Sequence, residues 1–344
     1  MQEKHNPRLY LAPMQGYTDT VFRNTYARFF DGLDIAVTPF ISTIRSKKIR
    51  EKHVKSVLPE LNQTMPLIPQ LMSNAAEDFI TMANRLYDLG YQEINWNLGC
   101  PYRQVANKYR GSGLLPHPEK IDAFLHQVIP AISNRVSVKV RIGRHDRGEI
   151  FKLIPLFNQY PISEIMIHPR LGIQMYEGEV DLDTFKECLA QSAHPVVYNG
   201  DIKTSADYHH LSARFPDVHG WMIGRGLIID PFLPAMIKAG KDGPNIPDEK
   251  KLEIFRQFHD ALFAVYREIL YGPSHITDRM KGFWVYFSQR FSDGPGVFKK
   301  IKKTRRPEEY QQITDTFFNS GPQWTNGSGH PPDCETTGRF LDIC

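Results

Sequence analysis

Short apolar runs recur along the chain at 9–14, 33–40, 67–71, 93–98, 136–141, 164–168, 195–199 and 220–224. Runs of that length, bounded by turn residues, predict buried strands rather than helices. The segments between them, such as 75–89 and 118–132, carry apolar residues at helical spacing. Gly90 follows the first of these where a C-terminal cap belongs. Eight strand–helix alternations predict an α/β fold, a (β/α)8 TIM barrel over 1–242. A doubly wound open sheet is the competing arrangement, but the GxGxxG fingerprint that would follow its first strand is absent.

The pattern changes near residue 240. A Gly/Pro-rich linker (239–244) leads into segments with helical periodicity only, at 249–270, 274–291 and 308–318. They predict a small C-terminal helical bundle over 243–320. From 321 to 344 the chain turns to Gly, Pro, Ser and Thr, too poor in apolar residues to fold alone, and a loose tail is expected.

Composition narrows the class without naming a function. With 41% hydrophobic and 23% charged residues, the chain has the make-up of an ordinary globular protein. A net charge of +4 and a pI near 8.7 permit a polyanionic partner without requiring one. The four cysteines (100, 188, 334 and 344) form no CxxC pair, so neither a metal site nor a disulfide framework is expected. Residues 1–8 precede no apolar signal core, and no run approaches the roughly 20 residues of a membrane span. A cytoplasmic protein with no membrane contact is the expectation.

In such a barrel the chemistry collects where strands end and βα loops begin. Those ends carry Pro13 and Met14, Gln70, Asn97 with Cys100, Lys139 with Arg141, His168 with Arg170, Asn199 with Gly200, and Gly224 with Arg225. Any one alone reads as an ordinary polar strand terminus; their coincidence at successive ends does not. The last two loops, Asn199-Gly200-Asp201-Ile202 and Ile223-Gly224-Arg225-Gly226, suit a phosphate: glycine lets backbone N–H groups approach and Arg225 adds charge. Lys139 would either stabilise negative charge on a reduced flavin or form a Schiff base with a carbonyl, as in an aldolase-like barrel. Spacing does not separate the two. Cys100, in Asn97-Leu98-Gly99-Cys100-Pro101, fits a nucleophile needing a base or a general acid that stays protonated.

Taken in order, these motifs resemble the tRNA-dihydrouridine synthases. The likeness rests on Leu11-Ala12-Pro13-Met14 followed by Thr18-Asp19 and Phe22-Arg23, then on Asn97-Leu98-Gly99-Cys100-Pro101 and Val138-Lys139-Val140-Arg141-Ile142-Gly143. Tyr198-Asn199-Gly200-Asp201-Ile202 and Met222-Ile223-Gly224-Arg225-Gly226 complete it. The resemblance implies an FMN cofactor with Pro13 and Met14 against the isoalloxazine and Gln70, Lys139 and His168 on its polar atoms. Asn199, Gly200, Asp201, Gly224 and Arg225 would hold the ribityl chain and phosphate. In the family NADPH reduces FMN, the reduced flavin gives hydride from N5 to C6 of a flipped-out uracil in tRNA, and the cysteine matching Cys100 protonates C5. Asn97, Arg103, Arg141 and Arg170 would surround that base. A monomer is expected.

Two stretches depart from the family pattern. His168-Pro169-Arg170 has proline where many members have glycine. Lys108-Tyr109-Arg110-Gly111-Ser112-Gly113 inserts two residues after the lysine, leaving Lys108 and Arg110 as rival substrate contacts. In the helical part, the basic run 299–306, with Arg279, Lys281 and Arg290 nearby, would suit an RNA backbone; Trp284 and Tyr286 read as bundle core. The rival functions are a flavin barrel acting on a small pyrimidine, as in a dihydroorotate dehydrogenase, and a non-catalytic tRNA-binding protein.

Overall fold

The structure is a computed structural model in which residues 6–45, 49–240 and 246–325 are described. The expected tail therefore lies outside the described residues from 326 onward, as does most of the expected linker. By contact the chain groups into two units, one of 1–13, 34–201 and 209–223, the other of 14–33, 202–208 and 224–344.

The first unit holds one parallel sheet: β1 (Leu9–Leu11), β2 (Ile35–Val37), β3 (Ile41–Ser42), β4 (Leu67–Ile68), β5 (Gln70–Met72), β6 (Glu93–Leu98), β7 (Arg135–Gly143), β8 (Ile162–Leu171), β9 (Val196–Tyr198) and β10 (Gly220–Ile223). Every predicted apolar run carries a strand. Their order is β3-β5-β6-β7-β8-β9-β10-β1-β2-β4. β4 and β5, near opposite ends of that order, are separated in the chain only by Pro69. Proline has no N–H for the ladder, which interrupts the strand; its carbonyl still accepts from Asn95 N at 2.9 Å. β4 pairs with β2 (Ala36 opposite Leu67) and β5 with β6 (Gln70 opposite Asn95), so the sheet curls toward a barrel.

Side chains alternate across each strand. One face of the sheet is lined by Tyr10 and Ala12, Val37, Ile68, Met166, Val197 and Met222, which pack into a single apolar cluster. On the same alternation lie Gln70 after Ile68, Asn95 and Asn97, Ser137 and Lys139, and His168 after Met166. The opposite face is covered by helices. Trp96, between the two asparagines, stacks on Phe124 of the helix Pro118–Val128 with ring centroids 4.0 Å apart, and Phe79 of the helix Ala76–Asp88 meets both rings edge-on. These polar residues thus stand toward the strand ends, above an apolar floor. Deeper in that face, Tyr10 Oη donates to Glu164 Oε2 at 2.7 Å, and burial raises the carboxyl's pKa.

The second unit is built on helices Thr20–Phe29, Asp248–Ile269, Pro273–Phe287, Gly294–Ile301 and Pro307–Asn319. Asp19 caps the first by accepting from Phe22 N at 3.0 Å and also receives Tyr266 Oη at 2.8 Å. Phe22 stacks on Phe283 and meets Phe258 edge-on. Trp284 is fully buried and donates to Tyr310 Oη at 2.7 Å, a core position as expected. Tyr310 in turn lies 2.6 Å from His259 Nε2, whose Nδ1 is 2.8 Å from Asp260.

Two expectations are corrected here. Arg290 and Lys281, placed on an RNA-facing surface by their charge, are buried; Arg290 is paired with Asp230 and Lys281 with Asp278. Each acid sits where the bundle would otherwise enclose an uncompensated cation. The run 299–306 is a helix end, a turn and a helix start: Lys299 and Lys300 close Gly294–Ile301, and Arg306 precedes Pro307–Asn319, 2.7 Å from Glu309. The helix Gly294–Ile301 escaped prediction because it begins Gly-Pro-Gly.

Candidate functional site

The turn after β6 presents Cys100. Asn97, at the penultimate position of β6, accepts from Gly99 N at 3.1 Å and Cys100 N at 2.9 Å through Oδ1. Its Nδ2 donates to Gln70 Oε1 at 2.7 Å, and Gln70 Nε2 donates to Asn95 Oδ1 at 2.8 Å. Asn95 Nδ2 then reaches Ser137 Oγ at 3.0 Å. This relay fixes the orientation of each amide, because every group has a partner of the opposite kind. From the far side, Ser112 donates through N and Oγ to Cys100 O at 3.0 and 2.9 Å. Gly111 stands at φ +53°, and a Cβ there would lie 2.8 Å from Cys100 Cβ, so only glycine fits. The thiol is 7% exposed and not in a disulfide.

Lys139 lies opposite Asn97 across the β6–β7 pair. Its ammonium group makes no hydrogen bond among the described residues. Burial first, and the Arg141 guanidinium second, pull its pKa down to about 7, against an opposing pull from Cys100. Arg141 is itself committed to the turn, donating from Nε to Gly99 O at 3.1 Å and from Nη1 to Leu171 O at 2.8 Å. Its guanidinium lies 5.3 Å from the Tyr176 ring centroid.

His168 is 8% exposed, and its Nε2 lies 3.3 Å from Arg170 Nη1. Arginine has no acceptor, so that contact makes Nε2 the lone-pair side of the imidazole. Arg170 grips Asp201 with both terminal nitrogens (3.1 and 2.5 Å) and donates to Gly178 O at 2.7 Å. Its donors are thereby largely taken within the chain. Asn199 Nδ2 donates to Met222 O at 3.0 Å, and a Cβ on Gly200 would lie 2.1 Å from Tyr198 Oη. Pro13 follows β1, half-buried; Arg103 is exposed at the start of the helix Arg103–Ala106. Met14, Gly224 and Arg225 belong to the second unit. There Met14 N donates to Thr18 Oγ1 at 2.9 Å, while Gly224 and Arg225 open the helix Arg225–Ile229. Gly226 packs so closely on the 202–203 backbone that a Cβ would lie 2.0 Å from Ile202 O.

The residues from 10 to 292 match the family model described as dihydrouridine synthase (Dus). The chain belongs to the dihydrouridine synthase family. The tRNA-dihydrouridine synthase B of Pasteurella multocida is 29% identical over 91% of this chain and 93% of its own length. The tRNA-dihydrouridine(16) synthase of Haemophilus influenzae is 27% identical over 88% of this chain and 97% of its own. A solved structure of a variant of NCR from Zymomonas mobilis has a TM-score of 0.50 at 14% identity, over 70% of this chain and 88% of that one, a likeness of fold alone.

Against that family, the two departures take definite form. Pro169 sits within β8, where its missing N–H costs a ladder bond, and its carbonyl accepts from Asp181 N at 2.8 Å. The segment after Cys100 closes on Asn74, which donates to Lys108 O at 2.9 Å and accepts from Arg110 Nε at 3.2 Å. Sequence reasoning passed over Asn95, Ser112 and Arg144. Asn95 was legible, lying two residues before Asn97 on the same strand face. Ser112 and Arg144 reach the turn only through the fold: Arg144 Nη1 donates to Pro101 O at 2.7 Å and to Ser112 Oγ at 3.2 Å.

Among the described residues no helix is long and apolar enough to cross a membrane.

Proposed function

We propose that this protein reduces the C5=C6 bond of uridine in tRNA, using FMN and NADPH. The observation that carries the reading is the doubly held Cys100 turn, with the Asn97–Gln70 relay on one side and Lys139 across the β6–β7 pair. With it goes a closed (β/α)8 barrel, supported by the meeting of both ends of the pairing order on residues 67–72.

The residues fit a flavin. Lys139 is a cation whose charge is disfavoured by burial and offset by no carboxylate bond, so a neighbouring anionic ring would restore its charge. Gln70 and Lys139, with His168 on the lone-pair side described above, would face the polar edge of the ring, and Pro13 and Met14 its apolar face. Asn199, Gly200, Asp201, Gly224 and Arg225 would hold its chain and phosphate. Bound there and reduced by NADPH, FMN would supply hydride to C6 of the uracil.

The chain's own residues do the rest. Cys100 delivers the proton to C5; a thiol is the ordinary form of cysteine near neutral pH, so this acid needs no activating base. Asn97 sets the height of that thiol through its hold on the Gly99 and Cys100 N–H groups, and Arg141 holds the same turn from Gly99 O. Asn97 and Arg103 would contact the substrate. Arg141 and Arg170 would stand beside the uracil, each anchored in the chain, Arg141 through Nε and Nη1 and Arg170 on Asp201. The target base must leave its stack to reach the thiol.

The test is dihydrouridine content, by nucleoside mass spectrometry, in tRNA lacking the modification after incubation with protein, FMN and NADPH. Wild type forms dihydrouridine; Cys100→Ala loses about 10²–10⁴-fold in rate and keeps tRNA binding. If flavin-loaded wild type binds tRNA and forms none, the reading fails and a small pyrimidine substrate takes its place. The reading also carries a cytoplasmic monomer, which a stable dimer at low concentration in sedimentation equilibrium would overturn.

A further inference from the structure

Beside the Cys100 turn, in the same unit, lies a surface concavity of about 550 Å³, of whose lining only Arg103 has a part in the proposed reaction. Arg103, Tyr109, His117, Arg144 and His145 line it, and no carboxylate does; the neighbouring carboxylates are Glu119, 3.5 Å from His117 Nδ1, and Glu149, which accepts from Arg144 N at 2.6 Å and His145 N at 3.1 Å. Arg144 is only 8% exposed. Its Nη1 is spent on Pro101 O and Ser112 Oγ, and its Nη2 makes no hydrogen bond among the described residues. A buried guanidinium that lines a hollow with no carboxylate in its wall, and whose Nη2 is unbonded within the described residues, suits a phosphate oxygen.

The hollow also has an aromatic wall, and it is the inserted residue. Tyr109 is held at φ +52°, a backbone conformation costly for a bulky side chain, by a segment pinned to Asn74. One face of its ring lies over Lys120 Nζ, 3.9 Å from the centroid, and His117 meets it edge-on at 5.1 Å. The ring is thus braced, yet Tyr109 remains 47% exposed. Folding has not used this ring to fill a core.

We propose that this concavity binds a nucleotide flanking the target uridine, its base stacked on the face of Tyr109 opposite Lys120 and its phosphate on Arg144 and Arg103. The site starts one residue beyond Cys100, because Arg144 bonds Pro101 O. A base leaving its stack for the thiol strips a neighbour of one stacking partner, and Tyr109 replaces that partner. The inference rests on the reading of an RNA substrate. The same chemistry would also take the phosphate and adenine of a nicotinamide dinucleotide, and the experiment separates the two.

The measurement is Kd for unmodified tRNA and for NADP⁺, with steady-state KM and kcat, on full-length flavin-loaded protein. Wild type is compared with Tyr109→Ala, Tyr109→Trp and Arg103→Gln, each checked for an unchanged melting curve and flavin spectrum. Tyr109→Ala raises Kd and KM for tRNA about 5- to 100-fold, the range for loss of one base–aromatic stack, and leaves NADP⁺ affinity unchanged; Tyr109→Trp restores tRNA affinity. Arg103→Gln weakens tRNA and flattens the salt dependence of binding. Unchanged tRNA affinity in a folded Tyr109→Ala protein overturns the inference, as does a loss confined to NADP⁺. Should wild type prove inactive on tRNA but bind it in a Tyr109-dependent way, the nucleotide site stands and only the reaction falls. If Tyr109→Ala is itself unstable, Tyr109→Gly, which suits the positive φ, takes its place with the same expected outcomes.

Discussion

Each unit contains a buried arginine held by an aspartate, and the two pairs are set differently. In the sheet unit Arg170 is 2% exposed, but its partner Asp201 is 30% exposed. In the helical unit Arg290 and Asp230 are 5% and 3% exposed, and burial draws the Arg290 pKa down to about 10. Both guanidinium groups leave Nε without a partner among the described residues. The difference lies in what else they touch. Arg290 also donates to Thr325 O and lies over the Trp324 ring, which makes it a clasp within the bundle. Arg170 also reaches His168, a candidate cofactor contact, and its acid stays in touch with water. Like chemistry is dry at both ends in one unit and wet at one end in the other.

The sharpest way to break this comparison is Asp230→Ala. It strands a buried cation, and about 3–5 kcal/mol of unfolding free energy should be lost in urea titration; a loss under 1 kcal/mol would mean that water reaches Arg290 freely. Asp201→Ala should cost less, about 1–3 kcal/mol, because solvent can compensate. Its distinguishing readout is the visible spectrum and Kd of bound FMN, which should change in Asp201→Ala and stay put in Asp230→Ala. Identical flavin behaviour in the two variants would reduce Arg170 to a second clasp.

Lys139 extends the comparison to a cation with no carboxylate. Its folded pKa, about 7, lies below the ordinary lysine value of 10.5. Between those values the unfolded chain binds the extra proton and the folded chain does not, so this group makes folding more favourable as pH rises through the window. In flavin-free protein, wild type should gain stability relative to Lys139→Met from pH 7 to 10. Parallel stability curves would show that Lys139 keeps its charge.

The strands were readable because each is a brief apolar run between turns, and hydrophobic patterning survives in any one sequence. Their breaks were not. Pro69 splits a run that looked continuous, and Ile41–Ser42 is too short and polar to announce itself. At the site, Asn97 and Cys100 were visible as a motif, and the period-two alternation of Asn95, Ser137 and Met166 shows how an inward face can be traced. What sequence could not supply was pairing between distant segments. Asp201 was legible as a polar loop residue; its grip on Arg170, 31 residues earlier, was not. Arg290 looked like an RNA contact until Asp230, 60 residues away, enclosed it. Charge is legible in a sequence; whether it has been neutralised is not.

Asn97 joins two requirements in one side chain: its oxygen sets the thiol and its nitrogen orients Gln70. A lineage drifting toward a new substrate therefore has little freedom there, since a change that improved one partner would disturb the other. Gly111 and Ser112 share the hold on the Cys100 turn, whereas Tyr109 and Arg110 just before them are braced on Lys120 and Asn74. Insertions such as Tyr109 and Arg110 can accumulate there while the hydrogen bonds of Asn97 stay in place. Variety in what is recognised and constancy in what is done to it are kept apart by a single amide.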